Sequence, residues 1–234
     1  FGAAVTPDAS IDVRGLERLG KAMLPSGATT TTLPRVVLCS SAGVTRPTWS
    51  KEKQERLKGA ADIPIVRLNP FGVLDLKRRG EEALRATGVP YCVVRPTGLN
   101  DKHEDGRPVL SQGDVAVGRI NRKDAAYVLT RILGEPEAVG KTLEVFAVPG
   151  ALYPKPRSLG RLLEALTPDA DAAGPALSEE AVEAQYRILQ QLLPGERGEA
   201  DALAMGQTYE QLDKDEEGRL GKRGEEDVPI VPVA

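Results

Sequence analysis

Short apolar runs alternate along this chain with segments whose apolar residues recur at helical spacing, and that alternation narrows the possible folds more than any other feature. The runs are Phe1–Val5 (FGAAV), Arg35–Ser41 (RVVLCSS), Tyr91–Arg95 (YCVVR) and Thr142–Val148 (TLEVFAV). Each has the length of a strand buried on both faces. Between the first two, Val13, Leu16, Leu19 and Met23 predict a helix over about Asp12–Met23. Between the next two, Asn69 as N-cap, Pro70 as first residue and Gly88 at the far end frame a helix with Phe71, Leu74, Ala83 and Leu84 on its apolar face. Asn121 and Asp124 open a third, with Ala125, Val128, Leu129, Ile132 and Leu133 inward. A short helix near Lys51–Lys58 and a short strand at Val109–Leu110 lie in the connections. Strand, helix, strand, helix, strand, helix, strand implies a parallel α/β sheet with right-handed crossovers.

The alternation divides the chain at about residue 167. Residues 1–167 read as the α/β domain, closing with a helix around Leu159, Leu162, Leu163 and Leu166. Residues 168–234 read as a helical and extended tail. In it, 167–177 form an Ala/Asp/Pro/Gly linker, and Ser178 caps a helix with Val182, Tyr186, Leu189 and Leu193 on one face. A charged stretch follows and ends in VPIVPVA. Between Asp213 and Asp227 seven acidic residues face four basic ones, so this stretch alone carries the net charge of −3. A neutral body with an acidic tail argues against nucleic acid as a partner. Cys39 and Cys92 both sit in apolar runs, which predicts buried, reduced thiols. No run of 18 apolar residues exists to span a bilayer.

In an open parallel sheet, ligands lie beyond the carboxyl ends of the strands. Three such ends carry small or hydroxylated residues: Gly2–Ala4, Ser40–Gly43 and Pro96–Leu99. There a backbone can approach a dinucleotide closely. The strings SSAGVTRP and LNPFGVLDLKRRGEEALRATGVPYCVVRPTGL, with NRKDAAYVL and TLEVFAV after them, resemble the atypical short-chain dehydrogenase/reductase superfamily. Within it they are most similar to a plastid branch that includes the dehydrogenase-like component of the inner-envelope translocon and photosystem assembly factors. The resemblance covers about Phe1–Gly150.

The resemblance implies a Rossmann-type doubly wound parallel sheet that binds NADP or NAD. It also implies an N-terminal Gly-rich half, which holds the pyrophosphate in the family and has no counterpart here. That half is expected upstream of Phe1, and without it cofactor binding should fail. The family's active site pairs a Ser with a Tyr four residues before a Lys, so that Tyr and Lys share a helical face. The Tyr transfers the proton, and the neighbouring ammonium lowers its pKa. Carried over, Ser41 matches the serine, with Ser40 beside the cofactor, and Lys77 matches the lysine that also reaches the nicotinamide ribose. Val73 stands where the Tyr would be, so the catalytic set is incomplete. Pro96, Thr97, Gly98 and Leu99 match the loop over the nicotinamide, and Ala3 and Ala4 match the strand end along the adenosine half. Without the resemblance, Lys77 would read as a surface lysine paired with Glu81.

Other titratable residues carry less. His103, in the polar loop KHEDGRP, has no second His or Cys beside it for a metal. Glu104 and Asp105 read as solvated. Arg119 and Arg122 are expected to pair with Asp124 rather than hold a phosphate.

Three functions follow. The first is an NAD(P)-binding, non-catalytic accessory or assembly subunit of a photosynthetic complex in the chloroplast, in the stroma or on the thylakoid surface. The tail would attach it to the complex, and peripheral membrane association is compatible with that reading. The second is an NAD(P)H-dependent oxidoreductase of the atypical short-chain type. The third is a structural subunit without cofactor.

Overall fold

The computed structural model describes residues 9–25, 32–149, 157–171 and 174–192. The chain divides into two compact units, Phe1–Leu189 and Gln190–Ala234. Ala3, Ala4, Leu193 and the acidic stretch with its apolar end lie outside the described residues.

Helices α1 (Ala9–Asp12) and α2 (Arg14–Ala22) open the chain, followed by β1 (Val36–Cys39). The connection to the next strand carries α3 (Lys51–Arg56), α4 (Lys58–Ala61), α5 (Pro64–Leu68) and the long α6 (Val73–Arg85). Then come β2 (Tyr91–Pro96), β3 (Gly98–Leu99), β4 (Gly106–Ser111), β5 (Arg119–Ile120) and α7 (Arg122–Ile132). The last elements are β6 (Lys141–Pro149), α8 (Leu159–Glu164), the hairpin β7 (Asp169–Asp171) with β8 (Gly174–Pro175), and α9 (Glu179–Leu192).

The main sheet has the order β1-β2-β6-β4. Strands β1, β2 and β6 are parallel, with Cys39 level with Val94 and Arg95 level with Glu144. β4 runs antiparallel on the outer side of β6, where Ser111 faces Glu144. It is longer than the strand expected at Val109–Leu110. Alternate residues of each strand face opposite sides. Cys92, Val94, Leu143, Val145 and Ala147 pack with Ala125, Val128 and Ile132 of α7. Tyr91 and Val93 pack on the other face with Leu84, beneath α6. Helices thus cover both faces of a parallel sheet, the Rossmann-type arrangement that the alternation predicts.

The two faces differ in chemistry. The α7 face is apolar, whereas the α6 face buries a chain of charges. Glu81 of α6 takes hydrogen bonds from Arg95 of β2 and from Arg85. Arg85 also reaches Asp169, which accepts from Tyr91 Oη and Thr142 Oγ1. The side chains of Glu81, Arg85, Arg95 and Asp169 are each at most 4% exposed. Removing one partner of such a set strands a charge away from water, at a cost of about 3–5 kcal/mol.

Several local expectations shift. α6 begins at Val73 rather than Pro70, because Asn69, Phe71 and Gly72 all adopt left-handed backbone, with φ of 30°, 55° and 66°. Asn69 still caps from a distance, its Oδ1 accepting from Leu74 N at 3.0 Å. Residues 167–177 are not a free linker: Asp169 N bonds Gly140 O, and its carboxylate takes Thr142 N. α9 packs Val182 and Leu189 inward, Tyr186 Oη accepts from Gly59 N, and Arg56 pairs with Glu179 and Glu183. Cys92 is buried as expected, but Cys39 is exposed, since β1 is the edge strand of the sheet.

Candidate functional site

Of the residues expected at the site, Ser40, Ser41, Pro96, Thr97, Gly98 and Leu99 lie at or just past the carboxyl ends of β1 and β2, while Ala3 and Ala4 lie outside the described residues. The chain leaving β1 stays paired with β2, through Ser40 N to Val94 O at 2.7 Å and Ala42 N to Pro96 O at 3.0 Å. The chain leaving β2 is fixed next to it by Thr97 N to Val145 O at 3.0 Å. Ser40, Ser41, Pro96, Thr97, Gly98 and Leu99 are therefore neighbours at one end of the sheet, the candidate dinucleotide crevice. Gly98 and Leu99 are exposed at its mouth.

Helix α6 brings Lys77 to the same place. It precedes β2 and runs opposite to it, so its N-terminal turns lie at the carboxyl edge of the sheet. The Lys77 charge is felt by Cys39 at the end of β1: the partial desolvation of the Cys39 thiol pushes it above its usual value, and Lys77 opposes the rise. Among the described residues Lys77 makes no ion pair. Glu81, its expected partner, is taken by the two arginines. Val73 lies one turn before Lys77 on the same helical face.

The polar groups of the crevice divide into used and unused. Ser41 donates to its neighbour Ala42 O at 3.0 Å. Ser40 is buried, and its Oγ has no hydrogen-bond partner among the described residues, although it lies near enough to the Glu81 carboxylate to favour its charge. Burial pushes Glu81 up, but Arg95, Arg85 and Ser40 together outweigh it and hold the carboxyl below its ordinary value. Thr97 is buried too, and its Oγ1 has no hydrogen-bond partner among the described residues. A buried hydroxyl left unbonded costs about 1–3 kcal/mol, which a ligand reaching it would recover. Gly98 N bonds Gly118 O at 3.1 Å, and a Cβ at Gly98 would stand 3.2 Å from that oxygen. A larger residue at Gly98 would need the Gly118 carbonyl to give by a few tenths of an ångström.

Two hydroxyls without partners, an ammonium without an ion pair and an exposed glycine backbone suit a ligand rich in hydroxyl and amide groups. Proton transfer from the Val73 position is impossible, since its side chain holds no ionisable group.

The remaining candidates separate from this site. Arg122 pairs with Asp101 at 2.6 Å instead of Asp124, whose Oδ2 accepts from Gly106 N and Asn121. His103 Nε2 lies 3.1 Å from Ala147 O, and Asp105, exposed as expected, forms a surface ion pair with Lys123. Among the described residues no cluster of His, Cys, Asp or Glu could hold a metal. None of their helices is long and apolar enough to cross a membrane.

The sequence reading missed the buried acids and arginines behind the crevice: Arg46, Glu81, Arg95, Asp114 and Glu144. Only Arg95 and Glu144 leave a trace in the sequence, a charge at an inward position of an otherwise apolar run, as in YCVVR and TLEVF.

Residues 8–136, more than half of the chain, match the NAD(P)H-binding family. The chain belongs to that family. The protein TIC 62, chloroplastic, of Pisum sativum is 35% identical over 108 residues, which are 43% of this chain and 20% of that protein. The match thus spans about a fifth of the relative's length. Among solved structures, a Bacillus halodurans protein described as an NAD-dependent epimerase/dehydratase is 20% identical over 70% of this chain and 66% of its own, with a TM-score of 0.46. The Lactococcus lactis oxidoreductase ylbE is 16% identical over 67% and 60%, with a TM-score of 0.45.

Proposed function

We propose that this NAD(P)H-binding chain uses its cofactor crevice as an accessory subunit and does not turn over substrate. Val73 carries this reading. A reductase of this type needs a proton donor one turn before the lysine, and a valine side chain has none. The other residues here offer polar groups suited to the nicotinamide end of such a cofactor. Lys77 would hydrogen-bond the nicotinamide ribose hydroxyls, Thr97 Oγ1 would accept or donate to the carboxamide end, and the Gly98 backbone would lie along it. Bound there, the cofactor would supply a hydride; Ser40 and Ser41 would border it without a side chain to carry the matching proton. The similarity to a chloroplast protein supports a plastid setting, and attachment to a larger complex there is part of the proposal.

The test is to titrate the full-length protein with NADPH and NADH, then assay hydride transfer over a panel of carbonyl compounds. Micromolar binding without turnover supports the accessory reading. Turnover that disappears in Ser41→Ala would replace it with the reductase reading.

A further inference from the structure

The segment between β4 and β5, residues 112–118, lies behind both turns of the crevice, and two buried acids hold it there. Asp114 is 1% exposed and has a left-handed backbone, φ 61°. Its carboxylate accepts from Gly43 N at 2.6 Å, Thr45 N at 2.7 Å and Thr45 Oγ1 at 2.7 Å, which ties the segment to the turn after β1. Glu144 of β6 is fully buried and binds the same segment from the other side. Its oxygens accept from Asp114 N at 2.9 Å, Val115 N at 3.1 Å, Ala116 N at 3.2 Å and Ser111 Oγ at 3.2 Å. Three successive amides turned to one carboxylate form an anion nest, filled here by the protein's own side chain. Arg46 completes the tie by donating to Asp114 O and Ala116 O, each at 2.7 Å. At its far end the segment presents Gly118 O to Gly98 N. Position is therefore passed from Glu144 and Asp114 to Gly43 on one side and Gly98 on the other.

All three backbone donors around Glu144 can only donate. A proton on its carboxyl would remove an acceptor that they need. The charged groups facing Glu144 are Asp114 from the segment itself and Arg95 from β2, with Glu81 of α6 beyond Arg95 and Arg46 beyond Asp114. Arg46, Arg85 and Arg95 thus face Glu81, Asp114, Glu144 and Asp169 in one buried set, an excess of one acid. Burial and the Asp114 charge push Glu144 above the ordinary carboxylate value, opposed by Arg95 and by the amides of Asp114 and Ala116.

We infer that Asp114 and Glu144 form an anionic clamp that sets the shape of the dinucleotide crevice, and that a proton taken up by Glu144 opens the clamp and weakens dinucleotide binding. The inference rests on the dinucleotide reading above. Glu144 is a positioning residue in it, since it touches the segment and not the ligand. Glu81, held low, titrates on the more acidic side and leaves the two events separable.

The experiment measures NADH binding by nicotinamide fluorescence from neutral pH down into the ordinary carboxylate range. NADH lacks the titrating 2′-phosphate of NADPH; if NADPH alone binds, Glu144→Gln corrects for that phosphate. Wild-type affinity should fall by up to about tenfold per pH unit through the Glu144 titration. Glu144→Gln, a mimic of the protonated acid, should bind weakly already at neutral pH and show a flat profile. A flat wild-type profile, or an unchanged slope in Glu144→Gln, overturns the inference. Exchange at the Asp114, Val115 and Ala116 amides of the wild type, corrected for intrinsic rates, should quicken over the same range. This second measurement decides the matter if the variant does not fold. If neither dinucleotide binds at any pH, the dinucleotide reading fails, and faster exchange at those amides would still support the clamp itself.

Discussion

Thr97 separates stability from binding at the scale of one side chain. Its hydroxyl is buried and unbonded, so the folded chain gains nothing from it. Thr97→Val removes the hydroxyl while keeping the shape. The melting temperature should stay level or rise, by the equivalent of about 1 kcal/mol, while NAD(P)H affinity falls. A loss of stability with unchanged affinity would mean that Thr97 is a core residue only. Val73 and Lys77 divide roles in the same way, one side chain without chemistry and the other with a charge held one turn away. The resemblance marked these positions in the sequence. The acids behind them were not legible, because Glu144 and Asp114 have meaning only through partners that the fold brings from other elements, such as Gly43 and Thr45.

At the scale of elements, α6 is the piece on which the crevice depends. It meets the first helices so closely that a Cβ at Gly80 would stand 2.1 Å from Asp12 O and 2.9 Å from a methyl of Leu16. Gly80→Ala should push α1 and α2 away and lower the melting temperature, despite alanine's better helix propensity. On the opposite side, Glu81 fastens α6 to β2. Glu81→Gln leaves Arg95 and Arg85 short of a counter-charge and should cost about 3–5 kcal/mol, read by denaturant unfolding. The interior of α6 was plain from its apolar spacing. Its start was not, because Asn69, Phe71 and Gly72 turn left-handed and delay the helix to Val73, although Asn69 keeps its capping bond to Leu74. The strands at Tyr91 and Lys141 were legible for the opposite reason. A strand buried on both faces has few residue types to choose from, whereas the half-buried β4 around Arg107 and Pro108 shows no such run.

For the whole molecule, the buried thiol and phenol and the buried carboxylate respond to pH in opposite ways. Burial pushes the Cys92 thiol up to about 12 from 9.0, and burial with the Asp169 charge raises the Tyr91 hydroxyl as well. Both groups hold their protons more tightly folded than unfolded. Their contribution is complete below the ordinary thiol value and is lost as pH rises toward the folded values. Unfolding free energy should therefore decline on the alkaline side by up to about 1.4 kcal/mol per pH unit for Cys92. Cys92→Ala should flatten part of that slope, at the cost of a lower plateau. Glu81 acts in the other direction: its stabilisation is present above the ordinary carboxylate value and disappears as pH falls through its lowered one.

All of these effects converge on one crevice at the ends of β1 and β2. Calorimetry of NADPH and NADH on the full-length protein and its Lys77→Met variant tests that crevice most directly. Micromolar binding of at least one dinucleotide, lost in Lys77→Met with the melting temperature unchanged, is the expected result. No heat with either dinucleotide, or equal affinity in the variant, would contradict it.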